Sequence, residues 1–243
     1  MHRLDRASVP HICPAAPVTF GRLRISIRPM IPSADDTADR MCTVAASAAA
    51  SILVLGSKFI AYVSPAASAA EAEVALHDRQ RRYPDATHHC WAYRTGRPDP
   101  LCERSSDAGE PSGTAGRPIL DALRKAGLEN AVCVVTRYFG GTKLGTGGLA
   151  RAYGDAAREA ITAAPLATRT IVQELSLDFD HDRTGTVYRA LEEFHLHLVP
   201  ATYDARAHGH VLVPLSEVDR ARTRLLELAP HGVDIAPGGV QIV

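Results

Sequence analysis

Between Arg137 and Arg151, five glycines at positions 140, 141, 145, 147 and 148 fall within nine residues. Three cations, Arg137, Lys143 and Arg151, accompany them, with no acid before Asp155. Glycine loses more backbone freedom on folding than any other residue, so so dense a cluster needs a cause: positive φ, or close approach of the main chain to something else. The run follows an apolar stretch at 131–135 and leads into an alanine-rich helical pattern. A glycine loop that opens a helix beside cations binds anions through its backbone N–H groups. Arg137, Gly140, Gly141, Lys143, Gly145, Gly147, Gly148 and Arg151 are therefore the candidate contacts to a phosphate, of a nucleotide or of a nucleic-acid backbone. The pattern is neither G-x-G-x-x-G with a partner acid nor G-x-x-x-x-G-K-[ST], which argues against a nucleotide pocket. The competing reading is a tight strand-to-helix turn whose glycines only permit close packing.

A second candidate lies upstream, where Asp107 and Glu110 precede Ser112 and Thr114 in a glycine-rich stretch. An enzyme would use the carboxylates as acid and base or as Mg²⁺ ligands. The reading favoured here is structural, with the acids capping backbone N–H groups at the start of the following helix, since no third ligand is near in sequence. His88-His89-Cys90 is a weaker candidate: on a strand the two histidines point to opposite faces, and Cys90 beside Trp91 reads as a buried thiol. The histidines at 181, 195, 197, 208 and 210 have no metal-ligand spacing. No catalytic residue, metal or cofactor is assigned.

These residues must be positioned by a regular frame that begins near residue 51. The pattern predicts one or two strands over 51–63 around Gly56, and a helix from Ser64-Pro65 to about Tyr83, stopped by Pro84. It then predicts a strand over 88–95, a polar loop over 101–115, a helix over 117–126 closed by Gly127, a buried strand over 131–138 and a helix over 147–163. After Pro165 come a strand over 170–180, a helix over 184–194, strands over 197–203 and 208–213, a helix opened by Ser216 with Asp219 as a capping box, and a strand over 233–243. Strand-helix-strand-strand-helix-strand is the split βαβ, or ferredoxin-like, order.

The chain has 243 residues, enough for one large or two small domains. The expected division is an extension without regular structure over 1–45, a first domain over 46–165 and a second over 168–243, with Met41 as an alternative start. Lys and Arg number 27, equal to Asp and Glu, so no global basic field attracts nucleic acid and any such contact comes from a local patch. No apolar run reaches membrane-spanning length, and five unpaired-looking cysteines read as reduced thiols of a cytoplasmic protein.

Three segments carry a resemblance: His88-His-Cys-Trp-Ala-Tyr93, Asp107-Ala-Gly-Glu-Pro-Ser-Gly-Thr-Ala-Gly116, and Thr136 through the glycine loop to Tyr153. In this order they resemble the IMPACT family, in its bacterial YigZ-like branch. The resemblance implies an α+β fold of two domains. The first would be similar to domain four of elongation factor G (a ribosomal-protein-like βαβ), the second a ferredoxin-like domain similar to domain five. It also implies a non-catalytic regulator of translation whose partner is RNA, the ribosome or a translation-related protein, with no membrane. The family usually has Asp-Asp-Gly-Glu-Pro where this chain has Asp107-Ala108-Gly109-Glu110-Pro111, which weakens any metal-hydrolase reading. The alternative is an enzyme acting on a small phosphorylated or peptide substrate between 107–114 and 140–148, with Glu110 as base and Lys143 as anion clamp.

Overall fold

A computed structural model describes residues 39–243 as a mixed α/β structure of two five-stranded sheets and five α-helices. The first sheet holds β2 (Ala48–Val54), β3 (Ser57–Pro65), β6 (Ala131–Tyr138), β4 (His88–Thr95) and β5 (Cys102–Ser106), antiparallel throughout and in that order. Helices α2 (Gly116–Lys125) and α3 (Gly145–Ala163) cover one face, with α1 (Ala69–Arg82) on the other. Strand alternation divides β6 between the two: Ala131, Cys133 and Val135 pack under α2 and α3, and Val132 and Val134 face α1. The small residues Ala152, Ala156, Ala157 and Ala160 let α3 lie close on the sheet, where Tyr153 meets Phe59 edge to face at 5.1 Å.

The second sheet is built from β7 (Leu166–Phe179), β8 (Val199–Tyr203), β9 (Ala207–Pro214) and β10 (Val233–Ile242), with helices α4 (Thr184–Glu192) and α5 (Val218–Leu228) between them in the chain. A fifth strand, β1 (Arg40–Val44), lies beside the start of β7, and the other four run in the order β10-β7-β9-β8, that of the split βαβ unit expected from sequence. Leu175, Leu177, Phe179, Val211 and Val213 turn inward to meet Val187, Leu191 and Leu225 of the helices.

Four expectations need correction. Residues 1–38 of the expected extension lie outside the described residues, but its end is structured. Arg40–Val44 forms β1, paired with Leu166–Thr170 of β7, with Met41 and Val44 buried. Ser64-Pro65 does not open α1. Both residues still pair with β6, and the cap is Ser68, whose hydroxyl accepts from the Glu71 N–H at 3.2 Å. The polar stretch after 101 contains β5, whose charged side chains hid the edge strand from a periodicity argument. Ser216 does not cap α5 in a box with Asp219. A short 3₁₀ turn precedes that helix, and Ser216 instead donates its N–H to Asp39 at 2.7 Å.

Candidate nucleic-acid interface

β6 aims Arg137 toward α3, so its side chain falls inside the first sheet's core and is only 6% exposed. There Nη1 of Arg137 lies 2.5 Å from Oε1 of Glu110, which also accepts the Tyr153 hydroxyl at 2.7 Å. The guanidinium is stacked near both Phe59 and Phe139, 5.4 and 5.5 Å from the ring centres. Arg137 therefore does not stand in solvent with Lys143 and Arg151. Its place in the expected anion-contact set is corrected: it is a buried, paired cation that anchors the loop from beneath.

The acidic stretch folds inward to meet it. Asp107 accepts from the N–H groups of Gly113 at 2.7 Å and of Ala115 and Gly116 at 2.8 Å. α2 has no capping side chain of its own at Ala115, so a carboxylate from nine residues upstream does that work. Burial pushes the Asp107 carboxyl up, but the three N–H donors outweigh it and hold the group below its ordinary value. Thr114 is buried and donates its hydroxyl to the Pro111 carbonyl at 2.6 Å, whereas Ser112 is exposed. His88 Nδ1 sits 2.9 Å from the Ala108 carbonyl, and the Cys90 thiol donates to the Asp107 carbonyl. Burial pushes the Cys90 thiol up to about 12, which leaves it no nucleophilic character. The side chain of Glu110, the base of the enzyme reading, is 4% exposed, and its Oε1 already accepts from both Arg137 and Tyr153.

Lys143 and Arg151, in contrast, are exposed, and no ion pair to either occurs among the described residues. Between them α3 starts at Gly145. It has no side-chain cap and no acid in its first turn, which leaves N–H groups free to bind an anion. The five glycines then separate by cause. Gly140 backs onto the β2–β3 turn, where an added Cβ would lie 1.9 Å from the Gly56 carbonyl carbon. Gly141 and Gly145 have φ of +86° and +71°. At Gly148 an added Cβ would lie 3.1 Å from the Leu144 Cβ. Gly147 has neither reason: its backbone is helical and nothing lies within 4 Å of where a Cβ would stand. Arg151 is one turn further along the same helix face.

Sequence reasoning missed Tyr153 and Ser57 as parts of this frame. Tyr153 entered only as the last residue of the third resemblance segment, although a buried phenol demands a hydrogen-bond partner. Ser57 accepts the Gly140 N–H at 3.1 Å and ties the glycine loop to the β2–β3 turn.

Comparison with known proteins fits this geometry. Residues 55–161 match the model of the Impact N-terminal domain. A relative from Bacillus subtilis (strain 168), the IMPACT family member YvyE, is 33% identical over 187 residues, covering 77% of this chain and 86% of its own. The chain belongs to the IMPACT family. A second member, from Thermus thermophilus, is 45% identical over 144 residues, 59% of this chain and 76% of its own. YigZ of Escherichia coli (strain K12) is 30% identical over 174 residues, covering 71% and 85%. A crystal structure of a hypothetical protein superposes with a TM-score of 0.57 at 27% identity, covering 81% of this chain and 96% of the other. Membership of the IMPACT family implies a role related to the regulation of translation. No helix among the described residues is long and apolar enough to cross a membrane.

Proposed function

We propose that this IMPACT family member regulates translation without catalysis, by binding RNA or the ribosome through the start of α3. The cradle consists of the free N–H groups of Gly145, Thr146 and Gly147, flanked by Lys143 and Arg151. The observation that carries the reading is Gly147 set between two exposed cations, Lys143 and Arg151, that make no ion pair among the described residues. A glycine at an exposed helical position costs about 0.5–1 kcal/mol relative to alanine. Neither a backbone angle nor a packed neighbour accounts for that cost here. Close approach of a bulky anion to the helix end does account for it, and a phosphate of an RNA backbone is such an anion. The neutral overall charge agrees with a contact that is local rather than a broad basic face. The four described cysteines are free, which suits a cytoplasmic setting.

Co-sedimentation with ribosomes at several salt concentrations tests the reading. Wild-type binding should weaken as salt rises, and the Lys143→Ala/Arg151→Ala double variant should bind more weakly with a shallower dependence. Loss of two phosphate contacts to single-stranded RNA would flatten the log–log slope by about 1.4. Binding that ignores salt, or a double variant with an unchanged slope, would rule out this cradle as the contact.

A further inference from the structure

Of the sheet edges in the described residues, one is left without protection. A strand edge presents unpaired N–H and C=O groups, and proteins blunt it with charges, proline, bulges or a covering segment. β5 is short and carries Glu103 and Arg104. β8 contains Pro200 and a register shift, as β10 contains Pro237 and a shift. β1 is covered along its outer side, where Cys42 bridges Leu128 and its carbonyl accepts the Glu129 N–H. β2 has none of these devices. Its seven residues, Ala-Ala-Ala-Ser-Ile-Leu-Val, contain no charge and no proline, and they pair with β3 in unbroken register.

The turn fixes which backbone groups of β2 are free. Val54 and Ser57 flank the two-residue turn Leu55-Gly56, so they form the hydrogen-bonded closing pair. Alternate residues 48, 50, 52 and 54 therefore direct their N–H and C=O groups at β3, while Ala49, Ser51 and Leu53 direct theirs outward. No backbone hydrogen bond joins those three to a described residue outside the hairpin.

We infer that β2 is a dimerisation edge, occupied by β2 of a second copy of this chain running antiparallel about a two-fold axis at Ser51. The sequence of the strand singles out that occupant. Its first half is small (Ala48, Ala49, Ala50) and its second half large (Ile52, Leu53, Val54), with Ser51 at the centre. Antiparallel pairing about Ser51 sets Ala48 against Val54, Ala49 against Leu53 and Ala50 against Ile52, so each large side chain meets a small one on the same face. The three outward-facing residues are also the ones this register makes into hydrogen-bonded pairs, which gives about six backbone hydrogen bonds across the axis. On one face the pairing covers Leu53, now 73% exposed. On the other it extends the partly buried row of Ala48, Ala50, Ile52 and Val54 that already packs on the core. The two sheets join into one of ten strands. The strand residues that pair, 48–54, include none of the α3 cradle.

Analytical ultracentrifugation of the full chain over a wide concentration range tests the inference. The wild type should sediment as a reversible dimer. Ser51→Lys, at an exposed position, sets like charges against each other at the axis. It should raise the dissociation constant at least tenfold while thermal unfolding confirms that the fold remains. Paired Ser51 Cα atoms would stand about 5.5 Å apart, within the ~4.4–6.8 Å that a disulfide spans. Ser51→Cys should therefore cross-link two chains under mild oxidation, above the background of wild type. Ala49→Cys, which faces Leu53 in this register, should not. A monomer at every concentration overturns the inference. So does a dimer that survives Ser51→Lys, or equal cross-linking of the two cysteine variants.

Discussion

The Arg137 guanidinium and the Glu110 carboxylate, 27 residues apart in the chain, meet at 2.5 Å with side chains only 6% and 4% exposed. This contact joins the acidic stretch to the end of β6 and sets where the glycine loop leaves the sheet. It also divides the cations flanking that loop into one that holds the structure and two that face solvent.

Breaking the pair from one side should cost far more than removing a solvent-facing cation. Glu110→Gln leaves Arg137 buried without a counter-charge and should destabilise the protein by about 3–5 kcal/mol. Lys143→Ala should stay within about 0.5 kcal/mol of wild type. Replacing both partners, as Glu110→Gln with Arg137→Met, should recover much of the loss, because the remaining groups no longer bury an unpaired charge. Urea unfolding of the three variants measures this. A Glu110→Gln protein as stable as wild type would mean that the pair is not buried in solution.

Gly147 should show a trade between stability and binding. Gly147→Ala removes a helix-breaking residue where a methyl group meets nothing, so it should stabilise by roughly 0.5 kcal/mol. It should at the same time weaken ribosome co-sedimentation. Gly185 is the control, since it is also exposed in the first turn of a helix and also has open space at its Cβ. Gly185→Ala should bring a similar gain with unchanged binding. If both variants bind like wild type, the absence of a side chain at 147 has no bearing on the interface.

The elements that frame the site were legible because they follow simple periods. The strand at 88–95 and the strand at 131–138 emerged with their observed ends, and the order of the second half emerged whole. What stayed hidden depends on contacts distant in sequence. β1 is a strand because β7 supplies a partner more than a hundred residues away. Arg137 looked like a solvent cation because spacing along a strand does not say which face another element will bury. Asp107 was legible as a cap for the opposite reason: its three donors follow within nine residues.

Two exposed non-glycine residues with positive φ should improve on substitution. Leu55 at +44° opens the β2–β3 turn, followed by Gly56 at +81°, a pair of angles that favours Asn-Gly over Leu-Gly. Ala108 at +45° lies in the exposed turn between Asp107 and Glu110. Asn tolerates this region better than alanine or leucine, for which it costs about 1–2 kcal/mol. Leu55→Asn and Ala108→Asn should each raise the midpoint of thermal unfolding. A lowered midpoint for either would show that its side chain makes a contact worth more than the strain.

Acid should weaken the cap on α2. The Asp107 carboxyl is held below its ordinary value of 3.8 in the folded protein, because its three N–H donors outweigh the effect of burial. Its stabilising effect is therefore complete above the unfolded-state value and is lost as pH falls from about 4 through the lower folded-state value. Asp107→Ala, which strands the N–H groups of Gly113, Ala115 and Gly116, should cost about 1–2 kcal/mol at neutral pH. The deficit should narrow below pH 4, where the wild type loses the same charge. Unfolding free energy measured from pH 7 to pH 3 compares the two curves. Parallel curves over that whole range would mean that the carboxylate does not cap the helix.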